Sequence, residues 1–126
     1  MSKILASILL LAGCAAPGGL HQDADAFPEV TSAFQILVQE CPPKARLVNV
    51  TVGDPGPFLR GVTTNPAPGC FDIIIESSLE PWSKQETLCH EWAHVLVSEA
   101  GPVNCDDHGP LWGVAYAECY RALWGD

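Results

Sequence analysis

The residues best suited to chemistry lie in the pentapeptide His90-Glu91-Trp92-Ala93-His94. On an α-helix, residues four positions apart differ by about 40° in direction, so the two imidazoles face one side and can share one zinc ion. Glu91 lies about 60° beyond His94, which is too far for a ligand. It is well placed to take a proton from a water molecule that the zinc activates. The spacing predicts hydrolytic chemistry, with His90 and His94 as metal ligands and Glu91 as the catalytic base.

A third ligand is expected from the segment that follows this helix. The chain between His94 and His108 is long enough to finish a helix, turn and return to the metal, and we therefore assign His108. Asp106 and Asp107 lie in the same segment and are expected to cap the last helix or to orient an imidazole. Zinc ligation by either aspartate, or by Glu118 on the last helix, is the alternative.

Tyr116 and Tyr120 are further candidates on the last helix. A phenol at either position would donate a hydrogen bond to the oxyanion of a transition state. The alternative for both is packing in the core, which is the common place for aromatic residues of an amphipathic helix.

Three helices are predicted around this site. The first runs from Pro28 to Glu40, where apolar residues recur at helical spacing. The second begins at a capping box formed by Ser83 and Glu86, reaches about Ala100 and carries the pentapeptide. The third starts at Pro110 and ends at about Trp124.

Three strands are predicted between the first two helices: residues 45–52, 58–63 and 71–76. The short loops between them favour antiparallel neighbours. The expected fold class is α+β, with an N-terminal helix, a small and mainly antiparallel sheet, the metal helix and a C-terminal helix. With 126 residues the chain forms one domain, expected to be a monomer.

The N-terminus has the features of a targeting segment. Lys3 is followed by an apolar run, residues 4–12, that is too short to span a bilayer. The tetrapeptide Leu11-Ala12-Gly13-Cys14 resembles the lipobox of bacterial lipoproteins, in which the cysteine carries the lipid.

That resemblance divides the chain into three parts. Residues 1–13 form a signal peptide, residues 14–27 the lipidated Cys14 with its tether, and residues 28–126 the folded domain. It implies a protein of the cell envelope that is anchored to a membrane without spanning it. The residue after the cysteine is Ala15 and not Asp, which by resemblance to Gram-negative lipoprotein sorting implies the outer membrane, facing the periplasm, as the expected location.

The charge of the chain argues against one class of partner. The net charge is −9 and the six Lys and Arg residues are scattered, so no nucleic-acid partner is expected.

The cysteines are expected to form disulfides. Apart from Cys14 there are five cysteines, an odd number, in an expected oxidising compartment. We pair Cys41 with Cys70 and Cys105 with Cys119, which leaves Cys89 on the metal helix.

The stretch from His108 to Trp112 extends the motif. It reads His-Gly-Pro-Leu-Trp, and together with the preceding H-E-x-x-H it resembles the SprT-like zincins, whose downstream histidine often stands in H-G-x-x-W. The resemblance covers about residues 70–124. It implies a zincin-like fold, a site of three histidines, one zinc ion and a water, and an edge strand, expected at residues 71–76, that holds an extended peptide by β-augmentation. The export signal and the lack of a DNA-binding or zinc-ribbon part depart from that family.

The function expected from these features is zinc-dependent hydrolysis of peptide bonds in the bacterial cell envelope. Two alternatives remain. One is a metal-binding lipoprotein without turnover, for which a closed shell of four ligands would argue. The other is hydrolysis of amide bonds in peptidoglycan.

Overall fold

The computed structural model describes residues 19–20, 27–100 and 108–125. These residues form three α-helices and a small mixed sheet, an α+β arrangement as predicted. Cys14, Asp106 and Asp107 lie outside the described residues, as does most of the expected signal peptide and tether. None of the helices in the described ranges combines the length and apolar character needed to cross a bilayer.

The first helix, α1 (Pro28–Glu40), has the predicted bounds. Pro28 stands at the start of the helix, where its missing N–H costs no hydrogen bond. The apolar stripe of α1 is buried, and it consists of Val30, Ala33, Phe34 and Leu37. The helix ends at Cys41, whose N–H donates to the carbonyl of Leu37 at 2.8 Å, and two prolines follow.

The sheet consists of β2 (Leu47–Gly53), β3 (Gly61–Ala67) and β4 (Cys70–Glu76), with a two-residue strand, β1 (Gly19–Leu20), beside β2. The strand order is β1-β2-β4-β3. β3 runs antiparallel to β4, whereas β2 runs parallel to both β4 and β1. The expectation of a mainly antiparallel sheet is therefore wrong. β4 pairs with its neighbour in sequence, β3, on one side, and with β2, in parallel, on the other.

Burial explains this order. β2 and β4 are the most apolar strands and share one burial pattern along their seven residues. β3 exposes Thr64, Asn65 and Pro66, and Pro66 cannot donate a ladder hydrogen bond, which confines it to an edge. The prediction of β4 as the edge strand is wrong, because β4 lies between β2 and β3; in the described part of the sheet β3 is the edge.

The two remaining helices are α2 (Pro81–Ala100) and α3 (Pro110–Trp124). The predicted capping box is wrong: α2 begins two residues before Ser83, and the Lys84 N–H donates to the Glu80 carbonyl at 2.9 Å. α2 is central, and five of its side chains have no exposed surface: Leu88, Cys89, Trp92, Ala93 and Val95. The Trp92 ring packs edge-on against Phe34, and its Nε1 donates to the Cys41 carbonyl at 2.9 Å.

The cysteines do not follow the predicted pairing. Cys70 is disulfide-bonded, whereas Cys41, Cys89 and Cys119 are free thiols. The pairs Cys41–Cys70 and Cys105–Cys119 are therefore wrong. The reason is topological: the end of α1 places Cys41 beside Cys119 of α3.

Strand β3 approaches α2 closely at Gly61. A Cβ atom at this position would lie 2.6 Å from Cγ2 of Thr87 and 3.3 Å from the Glu91 side chain. Thr87 is buried and β-branched, so it has little room to move. The missing side chain of Gly61 thus sets the distance between the edge strand and the helix of the candidate site.

We expect Gly61→Ala to destabilise the fold by about 1–3 kcal/mol, because the added methyl group overpacks this contact. The free energy of unfolding in urea measures it. Gly53→Ala is the matched control, since its new Cβ would meet no atom closer than 4.0 Å. Equal stabilities of the two variants would show that the contact between β3 and α2 is loose.

Candidate metal centre

Three histidines converge at the junction of α2 and α3. His90 and His94 lie one turn apart on α2, and His108 lies two residues before the start of α3. Nε2 of His108 lies 3.1 Å from Nε2 of His94 and 3.1 Å from Nε2 of His90. All three potential ligand atoms lie within 4.8 Å of one another. The structure thus brings together the three residues that the sequence predicts as ligands.

These separations fit a single small cation. Tetrahedral zinc with N–Zn distances of 2.0–2.1 Å places its ligand nitrogens about 3.3 Å apart. A neutral imidazole has one ring nitrogen with a free in-plane lone pair. A cation among three such nitrogens would accept all three lone pairs at once. The three histidines are therefore close enough to bind one metal ion, and their nitrogen donors are of the type that zinc accepts.

The surroundings favour the ligand form of the imidazole. Burial, and then the neighbouring His108, lowers the pKa of His90 below its usual value. A lowered pKa keeps the ring neutral at neutral pH, and only the neutral ring offers a lone pair to a metal. His94 is buried, whereas His108 is exposed. The cluster is consequently held by the core on one side and reachable from solvent on the other.

Trp112 closes one side of the cluster. Its ring centroid lies 4.8 Å from those of His90 and His108 and 5.6 Å from that of His94. The indole Nε1 donates to the His90 carbonyl at 3.3 Å, which ties α3 to α2 beside the ligands. The tryptophan that the motif places four residues after His108 thus contacts all three histidines.

Glu91 is buried and its two carboxylate oxygens have different neighbours. Oε1 accepts a hydrogen bond of 2.7 Å from the hydroxyl of Thr63, which also lies 3.3 Å from the Glu91 carbonyl oxygen. Oε2 lies 4.0 Å from Nε2 of His90. The Thr63 contact therefore leaves Oε2 as the oxygen on the side of the metal ligands.

The sequence analysis missed Thr63. In the sequence it is one of two consecutive threonines in a polar strand, and nothing distinguishes it from Thr64. Only the close approach of β3 to α2 buries Thr63 against Glu91, while Thr64 stays exposed. The contact between Thr63 and Glu91 thus depends on tertiary structure and not on a local motif.

Tyr116 lies at the edge of the site. Its ring stacks on that of Trp112 at 5.0 Å, and its hydroxyl donates to Glu86 at 2.9 Å. Burial, and then this hydrogen bond, raises the pKa of the phenol, which therefore keeps its proton. The role of Tyr116 in stabilising an oxyanion remains a prediction. Glu118 is exposed and does not belong to the histidine cluster.

A cavity of about 260 Å³ opens beside His90 and Glu91. Phe58 forms part of its wall, is fully exposed and has a φ angle of 64°, a strained value of the kind that clusters at functional sites. The hydroxyl of Thr87, another wall residue, is buried without a hydrogen-bond partner among the described residues. The rest of the wall consists of Leu59, Arg60, Gly61 and Glu86.

The backbone of β3 presents hydrogen-bonding groups next to this cavity. The Glu76 N–H donates to the Arg60 carbonyl at 2.8 Å, which marks these two residues as a hydrogen-bonded pair. Because such pairs alternate along antiparallel strands, the N–H and C=O groups of Gly61 and Thr63 face away from β4. They lie at the outer edge of the described sheet.

Comparison with known proteins adds no relative to this geometry. No protein-family model, no curated protein and no solved structure matches the chain. The arguments about function therefore come from the site itself.

We expect one zinc ion per chain, and His108→Ala to weaken zinc binding at least about 100-fold because it removes one of three nitrogen donors. Titration of the zinc-free protein against a competing chelator measures this. His21→Ala is the matched control, since the motif does not include that histidine. Undiminished zinc affinity of the His108 variant would remove it from the ligand set.

Proposed function

We propose that this protein is a zinc-dependent hydrolase of peptide bonds, with His90, His94 and His108 as ligands. The observation that supports this most directly is the convergence of three Nε2 atoms beside a buried carboxylate. Three protein ligands leave one position for water or substrate, which is the pattern of catalytic and not of structural zinc sites. Within the described residues no carboxylate joins the three histidines to close the shell.

Glu91 acts as general base and then as general acid. A bound zinc ion would polarise the substrate carbonyl and lower the pKa of water. Oε2 of Glu91, on the side of the ligands, accepts the proton of the attacking water and passes it to the leaving amine. Thr63 holds Oε1 and so fixes the direction in which Oε2 points.

The substrate is an extended peptide bound along β3. The outward N–H and C=O groups of Gly61 and Thr63 would pair with its backbone by β-augmentation. The Thr63 side chain and the Cα–H of Gly61 that a Cβ would replace face α2, so the edge that would bind the peptide lies next to Glu91. The cavity between Phe58 and His90 would receive one substrate side chain. The resemblance to zincins predicted such a strand, but this assignment moves it from residues 71–76 to β3.

The cellular setting is part of the same proposal. The lipobox-like segment ending at Cys14 supports a lipid anchor in the cell envelope, at the outer membrane and facing the periplasm. A tether of about a dozen residues before α1 would let the domain reach peptides near that membrane.

We expect Glu91→Gln to keep zinc affinity and to lose about 10²–10⁴-fold in kcat, because the amide cannot take a proton. Cleavage of a fluorogenic peptide library by the zinc-loaded protein measures the loss, with Glu118→Gln as the carboxylate control. Unchanged turnover in Glu91→Gln would disprove the role of the base. Zinc binding without any cleavage by the unsubstituted protein would favour a metal-binding lipoprotein without turnover.

A second variant series tests the position of the base. Thr63→Val keeps the shape and removes the donor to Oε1, so we expect kcat to fall roughly 10- to 100-fold, the value of one hydrogen bond to a charged group. KM and zinc affinity should stay within about twofold.

Thr63→Ser should restore most of the activity, because it keeps the hydroxyl. Thr64→Val is the control on the same strand, where the side chain is exposed. A Thr63→Val variant with normal kcat, or a serine variant as slow as the valine variant, would show that the hydrogen bond does not position Glu91.

A further inference from the structure

Three free thiols lie in or against the main hydrophobic core, where α1, α2 and α3 pack together: Cys41, Cys89 and Cys119. Cys119 of α3 is close enough to Cys41 and Cys89 for both to influence its pKa, and Glu118, the residue before Cys119, lines the same surface cavity as Cys41. The Cys41 thiol is likewise influenced by Cys119. The three cysteines are not among the groups of described residues close enough to share one metal ion.

We propose that Cys41 and Cys119 are a cross-linking site, which a disulfide-bearing oxidant converts to a disulfide between the end of α1 and α3. This proposal is independent of the hydrolase activity. It also differs from both pairings expected from the sequence.

Access decides which thiol reacts first. Cys89 and Cys119 are completely buried inside helices, and the Cys89 thiol lies against the Tyr116 carbonyl at 3.9 Å. Cys41 is only partly buried and lines a surface cavity of about 530 Å³. Because exchange requires contact between a thiolate and the oxidant, Cys41 is the one described free thiol that an oxidant reaches.

In the second step, Cys119 attacks the mixed disulfide formed at Cys41. After Cys41 has formed a mixed disulfide with the oxidant, Cys119 is the thiol that follows Glu118, which lines the same cavity as Cys41, and its influence on the pKa of Cys41 shows that it is near. The Cys41 carbonyl is held by Nε1 of Trp92, which keeps this end of α1 against α2 and close to α3. Cys89 is completely buried against the Tyr116 carbonyl and would stay reduced.

The reaction balances with one oxidant disulfide, RSSR. Cys41 attacks one of its sulfurs, and the first RS⁻ leaves as RSH with the proton of Cys41. Cys119 then attacks the Cys41 sulfur, and the second RS⁻ leaves with the proton of Cys119. Two thiols are oxidised and one disulfide is reduced. Burial, and then the neighbouring Cys119, raises the pKa of Cys41 to about 12, which lowers the thiolate fraction and slows the first exchange without changing which thiol the oxidant reaches.

The bond would matter for the site because α3 carries Trp112. That ring contacts the three histidines, and Cys119 lies two turns further along the same helix. A cross-link closing a long loop of chain stabilises the folded state by restricting the unfolded one. It would fix α3 against the end of α1.

Peptide mapping tests this directly. The full chain, exported to the oxidising periplasm of a bacterial host, is denatured and alkylated without reduction. Cleavage after Glu and Lys separates residues 41–44, 87–91 and 119–126, each with one cysteine. We expect 41–44 joined to 119–126 and Cys89 alkylated. A bond between 119–126 and 87–91, or alkylation of both Cys41 and Cys119, would overturn the proposal.

Variants provide the controls. Cys89→Ser should keep the cross-link. Cys41→Ser should leave Cys119 alkylated and lower the midpoint temperature of unfolding by roughly 10 °C relative to the exported unsubstituted protein. Transfer of the bond to Cys89 in Cys41→Ser, in place of an alkylated Cys119, would show that access does not control the reaction.

Discussion

The convergence of three imidazole nitrogens on one point is the constraint around which the site is arranged. A helix alone places two of these imidazoles on one side, because His90 and His94 are four residues apart. The third needs tertiary structure: His108 must return to α2, and α3 must then pack along it. Trp112 connects α3 with the ligand side of α2, since its ring contacts all three histidines and its N–H donates to the His90 carbonyl. The geometry of the site is therefore set by the packing of α3 on α2.

Helix α2 serves the core and the site with different faces. Trp92 packs on Phe34 of α1 and anchors the end of that helix through the Cys41 carbonyl. Glu91 and Thr87 meet β3, which approaches closely because Gly61 has no side chain. A helix held on several sides keeps its side chains in fixed positions, and this rigidity is what a metal site requires. The apolar residues around the motif thus help to position the ligands.

The sequence predicted what depends on local pattern. The bounds of α1 and α3, the helical setting of the pentapeptide and the approach of His108 follow from periodicity, prolines and chain length. The sheet order could not be predicted in this way, because short loops suggest that neighbours in sequence pair, whereas burial places β4 between β2 and β3. For the same reason the contact between Thr63 and Glu91 and the proximity of Cys41 and Cys119 escaped the sequence analysis. Both join residues that are far apart in the chain.

Glu91 links metal binding to stability. A buried carboxylate loses its hydration, and the hydrogen bond from Thr63 offsets part of that cost. A divalent cation among the neighbouring histidines would compensate more of it, since opposite charges attract strongly where water is excluded. A ligand that binds only the folded chain stabilises it in proportion to the logarithm of its concentration. A metal ion bound at the three histidines would therefore stabilise the fold around Glu91 as well as the site itself.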